Sequence, residues 1–234
     1  MTLSSEFLDS IQVNNAGAGL VCQDQYQEAI KKFSQALQQV KQLLIVEAYD
    51  NCCSDWDSDT DSVLFIGPEN SSAMSTLDDT TDRTEESFQD FIYRRPIVMK
   101  TDFKGTSRPA VARLAAIAMY NLALSHHLAA LSKPRVRLPM LQSASLLYEN
   151  AYLLLQSEEV DISALFSVAL SNNLGQALMG LKRFSEAKSC FEQLQSILQF
   201  LVLYCNDNER GQLEGFFQTT MVCMNQGRTT AAAA

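Results

Sequence analysis

Val13-Asn14-Asn15-Ala16-Gly17, near the start of the chain, and Ser171-Asn172-Asn173-Leu174-Gly175, in its last third, open the same pattern. Behind the first glycine stand Leu20, Tyr26, Ala29, Phe33 and Ala36; behind the second, at matching distances, stand Leu178, Phe184, Ala187, Phe191 and Leu194. A third copy begins Met119-Tyr120-Asn121-Leu122-Ala123 and resumes at Ala144, Tyr148 and Ala151, delayed by the insertion Ser132 to Met140. Recurrence at fixed spacing is the mark of stacked supersecondary units, each burying its apolar face against the next.

The residue types suit pairs of helices. Gly17, Ala123 and Gly175 are small enough to let a partner helix approach, and Ala29, Ala144 and Ala187 serve the same purpose from the other side. The rings of Phe33, Tyr148 and Phe191 follow those alanines by one helical turn, on the same face, and fill the space between neighbours. This spacing resembles the tetratricopeptide repeat. The middle copy departs from it, with alanine for glycine and with Pro134 and Pro139 in a lengthened, basic inter-helix loop. Tyr120-Asn121-Leu122-Ala123-Leu124-Ser125-His126-His127, Asn172-Asn173-Leu174-Gly175, Leu213-Glu214-Gly215-Phe216-Phe217 and the alanine-rich end resemble an expanded group of tetratricopeptide-like proteins of diatoms. That resemblance implies the fold and leaves the activity open.

The expected architecture is all-α: one helical-repeat domain over residues 1–230, a tetratricopeptide-like stack of about three hairpins plus a capping helix. The hairpins are expected at 4–46, 108–156 and 161–205, the capping helix at 209–226, and a frayed tail at 227–234. Ser107 before Arg108-Pro109 reads as an N-cap with proline in the first turn. Phe91, Tyr93 and Ile97 lie at odd positions of a stretch that Pro96 keeps from being helical. An extended segment is expected there, with Val63-Leu64-Phe65-Ile66 as candidate partner in a short β-hairpin.

Charge is concentrated. Of the formal −9, the stretch from Asp50 to Asp90 holds 12 acidic residues against Arg83 alone, so the remainder is close to neutral. The reading is a long acidic insertion (50–107, with the extended segment) between the first and second hairpins, where a repeat stack tolerates it. Asp55-Trp56-Asp57-Ser58-Asp59-Thr60-Asp61 imitates a calcium loop, but Thr60 replaces the glycine and Ile66 the bidentate glutamate, so a solvated acidic loop is favoured.

Catalysis and cofactors are not expected. No dinucleotide, phosphate-loop, zinc-protease or nucleophile-elbow motif occurs. His126 and His127 are adjacent on one helix and point about 100° apart, so they cannot share a metal. The six cysteines lack metal-ligand or disulfide-framework spacing, and the start lacks a secretory pattern. Together with the absence of an expected membrane span, this gives an intracellular protein, cytoplasmic or nuclear.

Two surfaces remain as binding candidates. Asn15, Asn121 and Asn173 each lie two residues before the small residue of their copy, so stacking aligns them on successive helices; Asn14, Asn172 and Tyr120 flank them. A carboxamide accepts from a backbone N–H and donates to a backbone C=O, and can hold an extended peptide without reading its side chains. The arrangement resembles the asparagine ladder of peptide-holding tetratricopeptide proteins; the competing expectation is that these amides bond neighbouring helix backbones. Cations of the kind that clamp a peptide C-terminus are absent beside them. The second surface is basic: Arg94, Arg95, Lys100, Lys104, Arg108 and Arg113. The leading expectation is a non-catalytic adaptor binding a protein or extended peptide on a concave face. The alternative is a structural or polyanion-associated protein using residues 94–113, screened by the acidic loop; the lack of a basic balance disfavours nucleic acid.

Overall fold

The computed structural model describes residues 3–50, 91–100, 107–158, 160, 163–204 and 213–223. The acidic insertion 51–90 with Val63–Ile66, Lys104 and the tail 227–234 lie outside the described residues. The chain divides into two compact units, one of residues 1–67 and 94–162, the other of residues 68–93 and 163–234. Both are helical, and no strand occurs among the described residues.

The first unit holds α1 (Leu3–Val21), α2 (Tyr26–Asp50), α3 (Arg108–Ser132) and α4 (Arg137–Ser157), with a 3-10 turn, Pro134–Val136, between the last two. Consecutive helices pack on one another in that order. α3 lies between α2 and α4, which explains its composition. By length and hydropathy it is long and apolar enough to cross a bilayer, yet 83% of that window is buried inside the protein. A helix covered on several sides is apolar all round. Ser107 is the extended residue before α3, and Pro109 sits in its first turn, where the missing N–H has no intrahelical acceptor to lose. The same logic absorbs the two inserted prolines. Pro134 starts the 3-10 turn and Pro139 falls in the first turn of α4, which therefore begins at Arg137, earlier than the proline content suggests.

The second unit holds α5 (Ala164–Gly180), α6 (Phe184–Tyr204) and α7 (213–223). Ser163 caps α5, its side chain accepting from the Phe166 N–H at 3.2 Å. α6 packs on α5.

The repeated sequence produces repeated geometry within each unit. At residue 17 a Cβ would stand 2.7 Å from the Phe33 ring, and at residue 175 one would stand 2.8 Å from the Phe191 ring. Both glycines are thus contact points where a ring from the second helix rests on the backbone of the first. The turns match as well. Asp24 and Lys182 both take left-handed backbone, at φ 58° and 61°. The next N–H in each case reaches back to close the helix end, Gln25 to Leu20 O and Arg183 to Leu178 O, both at 2.9 Å. In the α3–α4 pair, Tyr148 is fully buried instead between the rings of Tyr120 (5.6 Å) and His127 (6.2 Å).

Candidate functional site

In the first unit the amides of Asn15 on α1 and Asn121 on α3 close on the extended stretch that follows Arg94. Asn15 donates to Met99 O at 2.7 Å and accepts from the Met99 N–H at 3.0 Å. Asn121 does the same to Ile97, at 2.8 Å in both directions. Asn14 donates to Ile97 O at 3.2 Å, while its own Oδ1 accepts from Asn121 Nδ2 at 3.0 Å. Asn14 therefore both adds a bond and holds Asn121 in the orientation that presents oxygen to the N–H and nitrogen to the C=O.

The second unit repeats the device. Asn173 accepts from the Tyr93 N–H at 2.8 Å and donates to Tyr93 O at 3.0 Å. Asn172 donates to Phe91 O at 3.0 Å and to Asn173 Oδ1 at 3.1 Å. Its Oδ1 is buried without a partner among the described residues. In the first unit the equivalent oxygen of Asn14 is taken by Asn121; here Leu213 stands two residues before Gly215, where the motif would have an asparagine. α7 contributes apolar surface instead. Phe91 lies against Gly215, where a Cβ would meet its ring at 2.5 Å, and packs edge-on to Phe216 at 5.2 Å; Tyr93 lies 5.4 Å from the same ring.

Such a clamp needs a carboxamide. In an extended chain the N–H and C=O of one residue point to the same side, so one donor and one acceptor on a single planar group satisfy both. Aspartate offers only acceptors and lysine only donors. What the clamps grip is main chain, so they impose extended geometry without selecting a side chain. Selection comes from burial: Ile92, Ile97 and Met99 are buried and Pro96 with them, whereas Arg94 is exposed and Tyr93, Arg95, Val98 and Lys100 are half-buried. Each fully buried aliphatic side chain contributes about 1.5–3 kcal/mol.

Five of the six residues singled out as a peptide-holding set, Asn14, Asn15, Asn121, Asn172 and Asn173, thus bond to the backbone of residues 91–99. Tyr120 is buried with its ring against Tyr148. The segment they hold belongs to the chain itself, and this the sequence reading did not anticipate. Its signal was present in the apolar residues at 91, 93, 97 and 99 around Pro96.

The basic residues fare differently. Arg108 forms a two-pronged pair with Glu158, Nε to Oε2 and Nη2 to Oε1, each 2.7 Å. The guanidinium holds the Glu158 carboxyl below its ordinary range. Arg108 at the start of α3 and Glu158 at the end of α4 are each the wrong sign for their helix dipole, and they offset one another. Arg113 is half-buried, Arg94 exposed, and Arg95 and Lys100 half-buried. Arg108 is therefore already neutralised.

The histidines are separated as adjacent helix positions require. His127 is buried, and burial, reinforced by the charges of Arg137 and Arg94, pushes it down to about 3. His126 is half-buried, with Nδ1 3.1 Å from Met140 Sδ. Among the described residues no group of three or more potential metal ligands occurs. No family model, curated protein or solved structure matches the chain.

Proposed function

We propose that the protein is a non-catalytic adaptor whose helix pairs are tetratricopeptide-like repeats, akin to the diatom group it resembles, and whose asparagine face holds an extended segment of a partner protein. The repeat reading is supported by the paired Gly17–Phe33 and Gly175–Phe191 contacts and by the matching turns at Asp24 and Lys182. One observation carries the functional reading: Asn15, Asn121 and Asn173 each grip the N–H and C=O of a single residue of an extended chain. A surface that binds main chain in this way accepts any segment able to lie extended and to bury apolar side chains at the right positions.

Selection from a library of linear peptides tests this. Bound peptides should share alternating apolar residues, and binding should fall at least tenfold on changing Asn15, Asn121 and Asn173 to alanine, with helicity retained. Peptides that bind the triple variant equally well would place the binding surface elsewhere.

A further inference from the structure

We propose that residues 94–99 are a built-in competitor for the asparagine surface of the first unit, and that the external ligand is a protein segment of the same pattern, with paired apolar residues matching Ile97 and Met99. This rests on the adaptor reading above. Three observations support a displaceable segment. First, the asparagine bonds of the first unit to it end on N–H and C=O, which any other chain also carries. Second, α1, α2, α3 and α4 pack on one another directly, so the segment is not what joins them. Third, the segment belongs to no helix, and its side chains are only partly committed: Pro96, Ile97 and Met99 are buried, whereas Arg94, Arg95, Val98 and Lys100 are not.

The same contacts set the demands on the ligand. It must supply N–H and C=O at the position of Ile97, because Asn121 and Asn14, which bond there, are fully buried and lose those partners if the site is vacated, and at the position of Met99 to satisfy Asn15. It cannot have proline at either position, since each donates its N–H. It is uncharged where Ile97 and Met99 are buried and tolerates charge where Arg94 is exposed. Exchange of one such segment for another is close to neutral in hydrogen bonds, so apolar fit decides between them. The apparent affinity of an outside segment is lowered by the fraction of time its own competitor is seated.

A fluorescently labelled synthetic peptide of residues 90–101 is the probe. With the full-length wild-type chain it should bind weakly. With an Ile97→Gly/Met99→Gly variant, whose own segment is held less firmly, it should bind at least tenfold more tightly, and adding Asn121→Ala should reverse the gain. Equal binding to wild type and variant, still dependent on Asn121, would overturn the competitor and leave the adaptor reading standing. Binding to the variant that ignores Asn121 would overturn both. Absence of binding to a variant of native helicity would overturn the competitor, with the peptide library still deciding the adaptor. If the variant loses its helicity, isotopically labelled wild type replaces it: excess unlabelled peptide should speed hydrogen exchange at the protein's own Ile97 and Met99 amides, and unchanged exchange at saturating peptide would overturn the proposal.

Discussion

Asn121 meets Ile97 with a donor and an acceptor at the same 2.8 Å, in a site where its side chain has no solvent exposure. Removing one partner of buried hydrogen bonds strands the others, and each stranded group costs about 1–3 kcal/mol. Asn121→Ala leaves the Ile97 N–H and the Asn14 Oδ1 without these partners and the Ile97 C=O with Asn14 alone, so a loss of at least about 2 kcal/mol is expected by urea denaturation. Asn121→Asp is isosteric but turns the donor to Ile97 O into an acceptor. It should be no more stable than the alanine variant at neutral pH.

Gly17→Ala and Gly175→Ala should each destabilise by about 1–3 kcal/mol, because the added methyl would enter the Phe33 or Phe191 ring. Gly19 is the control, with nothing within 4 Å of an added Cβ. Gly19→Ala, exposed in the last turn of α1, should be neutral or stabilise by up to about 0.5 kcal/mol. Phe33→Leu should recover part of the Gly17→Ala loss in a double-mutant cycle, since the shorter side chain makes room.

Lys182 occupies a left-handed position at φ 61° that glycine adopts without strain. Lys182→Gly should raise stability by up to about 1 kcal/mol, read as a shift of the thermal midpoint. Asp24→Gly should gain less. The Asp24 carboxylate accepts from the Tyr26 hydroxyl, a bond that glycine loses and that adds to burial in pushing the phenol up to about 12.

His127 gives the fold a pH dependence. Its value in the folded protein, about 3, lies below the ordinary 6.5, so between these values the unfolded chain binds the extra proton. Its stabilising share is complete above about pH 6.5 and is lost as pH falls toward 3, with a limiting slope near 1.4 kcal/mol per pH unit. Glu158, held below its ordinary value by Arg108, likewise loses its share as pH falls, but in the carboxylate range further down. Urea denaturation at pH 7 and pH 5.5 should therefore differ by about 1 kcal/mol in the wild type. A His127→Phe variant should lose most of that difference, keeping only the smaller share of His126, which burial also holds below its ordinary value.

Much of the local architecture was legible because it lies in residue types at fixed spacing. Gly17 with Phe33 and Gly175 with Phe191 announce a ring seated on a helix backbone, and the asparagines two residues earlier fall on another face of the same helix. The α3–α4 pair was harder to delimit. Its prolines suggested a longer loop, whereas the unpaired N–H groups of a first turn accommodate Pro139 inside α4. The object held by the asparagines could not be read from the repeats, because a clamp on main chain leaves no complementary side-chain signal. Residues 91–99 are separated from Asn15 and Asn173 by about 80 positions, and nothing in local spacing connects them.

Amide hydrogen exchange along residues 91–100 tests the central claim most directly, that side-chain amides hold this segment by its main chain. Tyr93, Ile97 and Met99, whose N–H groups donate to Asn173, Asn121 and Asn15, should exchange markedly more slowly than Arg94 and Val98 between them. Asn15→Ala should release Met99 selectively. Uniform exchange across the segment at the rate of an unstructured peptide would contradict the account.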